Sequence, residues 1–126
     1  MKIQLMSIER DGFVRLAVDG NVTAADFLGN SGKNPIESVV GPNWNSFRIL
    51  LDMSKVAYID SSAIGWLINT QKQLKEATGA MAVYGVQPAV KQVLELLRVG
   101  KVVPFCESEA AARDAVNQLT QPKTVA

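Results

Sequence analysis

The sequence predicts an α/β domain built on a mixed, mostly parallel sheet, and three observations point there. From Arg48 onward, strand-like apolar runs alternate with helix-like apolar spacing, an order that parallel strands joined by right-handed crossovers produce. Before that, two apolar segments flank Asp11-Gly12, a dipeptide that marks hairpin turns, which predicts one antiparallel pair at the sheet edge. The chain has 126 residues, 48% of them apolar. A chain of that size can hide roughly two-thirds of the surface it exposes when unfolded, enough for one core without disulfide or metal staples.

The elements follow in order. Ile3, Leu5 and Ile8 mark the first strand and Phe13 to Val18 the second. Residues 21–46, holding Gly29, Gly32, Gly41, Pro35 and Pro42, are ambiguous: a short helix begins near Thr23, and Ile36 to Val40 is either helical or a covered loop. Arg48-Ile49-Leu50-Leu51-Asp52-Met53 is a short apolar run between polar residues, the pattern of a central strand buried on both faces. Over Ser61 to about Ala77, Ile64, Leu67, Ile68 and Leu74 form one helical stripe, while Asn69, Lys72, Lys75 and Glu76 look outward. Gly79 supplies the stop.

Ala80 to Val86 is strand-like, and Pro88 suits a first helical position, where a missing N–H is harmless. Val90, Val93, Leu94 and Leu97 repeat at i, i+3, i+4 and i+7, predicting an amphipathic helix that Gly100 ends. Val102-Val103-Pro104-Phe105 predicts a last strand. Ser108 is an N-cap for a final helix carrying Ala112, Ala115, Val116 and Leu119. A polar tail occupies residues 120–126.

Composition excludes several kinds of function. There is no histidine, so Ser-His-Asp and Cys-His nucleophile systems and histidine metal ligands are absent. Cys106 is the single cysteine, which rules out an internal disulfide and a multi-thiolate zinc site. A net charge of +1 with no long basic run lacks the electrostatic footprint of a nucleic-acid binder. Neither G-x-x-x-x-G-K-S/T nor G-x-G-x-x-G occurs, so no nucleotide cofactor is expected. No apolar run approaches the roughly 18 residues of a spanning helix, and a cytoplasmic location without membrane insertion is expected.

One segment carries chemistry: Val56-Ala57-Tyr58-Ile59-Asp60-Ser61-Ser62-Ala63-Ile64-Gly65, between the central strand and the long helix. Sites in open α/β sheets favour this end, where strands finish and helix N-termini present free N–H groups. On residue types alone, Asp60, Ser61 and Ser62 are capping residues, and a cap is the plainer reading. The functional alternative is that a hydroxyl here accepts a phosphoryl group, which free N–H groups and the positive helix end would stabilise.

The order of elements, with Leu51 to Gly65, resembles the STAS domain family (sulfate transporter and anti-sigma factor antagonist), especially its small soluble bacterial members. The family pattern is an apolar strand ending in Asp, a polar stretch, then D-S-S/T-G-L/I-G opening a helix. Downstream, Val83 to Val90 resembles the strand and P-x-V helix start of the family, and Leu97-Arg98-Val99-Gly100 its helix end. The resemblance implies a STAS-like domain over residues 1–119, with an inserted or irregular segment at about 24–46. It also implies an anti-sigma factor antagonist that binds an anti-sigma factor acting as serine kinase. Phosphorylation at Ser61, with Ser62 as second choice, would release that partner, and a phosphatase would restore binding. Asp60, Ser61, Ser62, Ala63, Gly65 and Trp66 would form the partner-binding face, with Asp60 orienting the segment and Gly65 allowing close approach. Two positions depart from the pattern: Ala63 replaces a glycine, and Gly20-Asn21-Val22-Thr23 lacks the acid of the family's G-x-L/I-D.

Other candidates are weaker. Trp66 lies opposite the Ile64, Leu67, Ile68 stripe and is either partly exposed, as an interface anchor, or covered by Trp44 or the inserted loop. Lys91 and Arg98 could meet an anion but are more simply a solvated face. Asp52 and Asp60 are two carboxylates without further ligands, so no metal site is expected. Two rival functions remain. One is a STAS scaffold or interaction module in a larger signalling or membrane-associated complex, without phosphoswitching. The other is an enzyme using Ser61, Asp60 and Lys55, which lacks a Ser-x-x-Lys spacing and is not expected.

Overall fold

Strands β1 (Lys2–Ile8) and β2 (Phe13–Asp19) pair antiparallel, with Lys2 opposite Asp19 and Leu5 opposite Leu16. The turn between them closes where the Gly12 N–H donates to the Glu9 carbonyl at 3.0 Å, with Gly12 at φ +88°. Only glycine takes that backbone region without steric cost. The computed structural model describes residues 1–28 and 33–120. The expectations on Gly29, Gly32 and residues 121–126 lie outside them.

β3 (Arg48–Lys55), β4 (Ala80–Tyr84) and β5 (Phe105–Cys106) continue the sheet in parallel, in the order β1-β2-β3-β4-β5. The α/β reading therefore holds, with β1 at the edge and β3 in the centre. Side chains alternate across a strand. Ile49 and Leu51 accordingly face one layer, with α1 (Pro35–Val40), α2 (Ser61–Glu76) and α3 (Pro88–Leu96), while Leu50 faces α4 (Glu109–Thr120) on the other. The larger core joins Leu16, Met53, Met81 and Val83 to Ile36, Leu67, Leu74, Val90 and Leu94. The smaller one packs Phe13, Leu50, Ala80 and Ala82 under Ala112 and Val116.

The ambiguous stretch resolves into a 3-10 turn at Ala24–Phe27, the helix α1, and a second 3-10 turn at Trp44–Ser46. Asn34 caps α1 by accepting the Ile36 N–H at 3.0 Å, and Pro35 takes the first helical position.

Several boundaries are corrected. Ile68 is exposed rather than on the buried stripe, and Leu97 and Leu119 are also exposed. α2 does not end on a left-handed glycine: Thr78 takes that role at φ 67°, and the Gly79 and Thr78 N–H groups return to the Leu74 and Lys75 carbonyls at 2.7 and 3.4 Å. Gly79 serves instead because a Cβ there would meet the Phe47 and Asn45 carbonyl oxygens at 2.5 and 2.6 Å. α3 stops at Leu96, before Gly100, with Arg98 left-handed at φ 55°. Residues Val99–Lys101 form a 3-10 turn, and Val102 and Val103 both donate back to the Val99 carbonyl. Pro104 has no N–H to pair, so the last strand starts at Phe105 rather than Val102. Thr120 belongs to α4 rather than to the tail.

Candidate functional site

Beyond β3 the chain runs alongside the residues that follow β2. Val22 forms an isolated parallel bridge with Ile59: the Val22 N–H donates to the Tyr58 carbonyl at 3.1 Å, and the Asp60 N–H to the Val22 carbonyl at 3.2 Å. Those bonds fix where α2 begins. Asp60 has extended backbone, φ −108°, and one of its carboxylate oxygens accepts the Ala63 N–H at 3.1 Å, the geometry of an N-cap. The other accepts the Ala24 N–H at 2.9 Å. A single side chain thus ties the helix start to the 3-10 turn at Ala24–Phe27.

Ser61 and Ser62 fill the first two helical positions. Ser61 is exposed and Ser62 half-buried. Their backbone N–H groups precede the first intrahelical donor, Ile64, whose N–H reaches the Asp60 carbonyl at 3.3 Å. Ala63, standing where the family pattern has glycine, is a helical residue packed into the core. Gly65 lies one turn above Ser61 and is exposed. The outer stripe of α2 here, Ser61, Gly65, Ile68 and Asn69, is exposed and bears no formal charge until Lys72. Tyr58, just before the cap, is also exposed.

Trp66 is covered, the second of its two expected alternatives, and offers no exposed anchor. α2 is buried on two sides, against the sheet and under Phe27 and Asn34. Phe27 packs on the indole, ring centroids 5.7 Å apart, and the Trp66 Nε1–H donates to Asn34 Oδ1 at 3.0 Å. The Asn34 amide nitrogen donates to Thr70 Oγ1 at 2.8 Å and Gln73 Oε1 at 3.4 Å. Asn34 therefore uses both ends of its amide to hold the start of α1 on α2, a role the sequence reading missed; the Asn34-Pro35 pair, a cap followed by a first-turn proline, was its visible trace. Beside it runs a cleft of about 390 Å³ lined by Ala24, Phe27, Ser62, Gly65, Trp66 and Asn69 among others.

The remaining candidates lie elsewhere. Asp52 accepts the Ser54 N–H at 2.8 Å, so both carboxylates considered for a metal are engaged by backbone. Among the described residues no group of three or more His, Cys, Asp or Glu side chains could hold a metal ion. Lys91, on α3, and Arg98, just after it, are exposed and stand apart from the start of α2. Burial pushes the Cys106 thiol up, away from the thiolate form that redox chemistry uses. No helix among the described residues is long and apolar enough to cross a membrane.

Comparison with known proteins gives a consistent picture. An anti-sigma F factor antagonist from Paenibacillus polymyxa is 30% identical over 78 residues, a match covering 62% of this chain and 62% of that protein's length. The crystal structure of an anti-sigma factor antagonist from Mycobacterium paratuberculosis superposes with a TM-score of 0.69 at 23% identity, covering 92% of this chain and 95% of the other. The Bacillus cell fate determinant SpoIIAA, solved in its phosphorylated form, shares the fold with a TM-score of 0.57 at 16% identity, covering 90% and 99%. The sequence model described as the STAS domain matches residues 9–112, which span β2 to the first turn of α4, so the chain belongs to the STAS domain family.

Proposed function

We propose that the protein is an anti-sigma factor antagonist whose α2 start docks on an anti-sigma factor with serine kinase activity, and that phosphorylation of Ser61 ends the interaction. It is a regulatory switch and not an enzyme. The kinase transfers a phosphoryl group from a nucleoside triphosphate to Ser61 Oγ, the hydroxyl proton passing to a base of the kinase and the diphosphate leaving.

The observation that carries this reading is the exposure of Ser61 at the first position of a helix of 16 residues, within an uncharged stripe. A phosphate of charge about −1.5 to −2 there meets free N–H groups and the positive end of the helix dipole, so the fold tolerates it. A partner seated on the neutral face would not: it must desolvate the oxyanion or withdraw. Ser62 is half-buried beside the Trp66 cleft and is the second choice. The names of the similar proteins, and the phosphorylated form of one of them, support the same reading. A phosphatase would restore binding.

The test is co-purification from the protein's own cells using wild-type, Ser61→Ala and Ser61→Glu chains. Ser61→Ala is expected to retain an anti-sigma factor and Ser61→Glu to lose it; equal recovery of the same partners by both removes the switch.

A further inference from the structure

Buried Val90 and Leu94 turn one side of α3 to the sheet. Leu96 follows Leu94 by two residues, about 200° around a helix of 3.6 residues per turn, so it stands on the opposite side. It is 80% exposed, and the core makes no use of it. Leu97 at 55% and Val102 at 37% are exposed near it, where the 3-10 turn at Val99–Lys101 folds the chain back at the end of α3. Beside Leu96 lies a cleft of about 460 Å³, lined by Gln92, Val93, Glu95 and Leu96. In sequence an exposed acid, Glu95, precedes the two leucines, and exposed Arg98 and Lys101 follow them. Among the described residues none of these three charges makes an ion pair.

We propose that this patch is a two-fold interface with a second copy of the chain. Such an interface pairs residue i with j and j with i, so the surface must complement itself. This one has an apolar middle, an acid before it and bases after it. A two-fold axis between Leu96 and Leu97 sets the leucines of the two copies against each other and brings Glu95 of each copy to Arg98 of the other. The cleft beside Leu96 then receives a leucine of the second copy. A partner of one dominant charge would leave one of the two signs unpaired, and a net charge of +1 sets little repulsion between copies. Thr120, the last described residue, ends α4 on the other face of the sheet. α2 and α3 both begin where the parallel strands end and run back from there, so the end of α3 lies at the pole away from Ser61. The pair therefore leaves both copies of Ser61 open, and the interface does not depend on the switch proposed above.

Sedimentation velocity of the full chain over a dilution series tests this. Expected is a particle of twice the chain's mass whose fraction rises with concentration. Leu96→Glu should raise the dissociation constant by about 10-fold or more, the worth of one buried leucine. Glu95→Arg and Arg98→Glu should each weaken the pair several-fold by opposing like charges, and the double charge swap should recover most of the loss. Leu96 is exposed, so the urea midpoint of Leu96→Glu, read at a dilution where both chains are single, should match the wild type and separate docking from folding. One mass at every concentration, whether residues 121–126 or a foreign polypeptide take the patch, overturns the inference. So does a dimer indifferent to Leu96→Glu, an open series of larger particles, or a double swap no better than its single changes.

Discussion

Asp60 holds the backbone N–H of Ala24, 36 residues earlier in the chain, at 2.9 Å, while its other carboxylate oxygen caps α2 through Ala63. The residue that starts the helix also sets the wall beside it. Asp60→Ala is expected to cost about 1–2 kcal/mol, the worth of a lost N-cap with a second backbone bond, and Asp60→Asn to recover most of it. Urea unfolding checks both; an Asn variant as unstable as the Ala variant would mean that hydrogen bonding is not what Asp60 contributes.

The second wall depends on Asn34. Removing its side chain leaves the buried Trp66 N–H and the fully buried Thr70 hydroxyl without the partners they have here. Orphaned buried donors and acceptors are costly, so Asn34→Ala should lose about 2–4 kcal/mol in denaturant unfolding. A loss under 0.5 kcal/mol would show that water replaces the amide at no cost.

Two neighbouring positions at the end of α2 should respond with opposite sign. Thr78 is a β-branched residue at φ 67°, so Thr78→Gly should stabilise by about 0.5–1 kcal/mol. Gly79→Ala forces a methyl group onto two carbonyl oxygens at 2.5 and 2.6 Å, and should destabilise by about 1–3 kcal/mol. Thermal unfolding of the pair decides, and changes of the same sign would contradict the C-cap geometry.

Acid stability should depend on Glu9. Arg113 donates to both Glu9 oxygens, at 2.9 and 2.7 Å, tying the β1–β2 turn to α4. These bonds hold the Glu9 carboxyl below its ordinary value of 4.5. A carboxyl lowered in the folded state contributes stability that is complete above its unfolded value and lost as pH falls through the folded one. Glu9→Gln should therefore flatten the decline of Tm below pH 4.5 relative to wild type. Parallel profiles would show that the pair contributes nothing to acid stability.

What the sequence revealed and what it hid follow from range. β3, α2 and α3 were visible because local period and bounding residues agree over whole segments. Cap residues such as Asp60 and Ser108 were visible for the same reason. Ile68 falls on the predicted stripe yet is exposed, and the choice between an exposed and a covered Trp66 stays open in the sequence, because α2 is buried on two sides and one periodic stripe describes only one of them. The bond that covers Trp66 joins residues 32 apart and leaves no periodic trace. The left-handed residues are Thr78 and Arg98, while Gly79 is required by the Phe47 and Asn45 carbonyls, far away in sequence, and Gly100 by the Phe105 ring of β5. At the site, residue types announce a cap; the exposed setting of Ser61 needs the fold.

The central claim is the modification of Ser61, and phosphopeptide mass spectrometry of the protein purified from its own cells tests it most directly. Phosphate is expected on Ser61, with its fraction changing between conditions in which the partner is bound and released, and none is expected in Ser61→Ala. Peptides covering Ser61 and Ser62 that are unmodified in every condition would contradict the account.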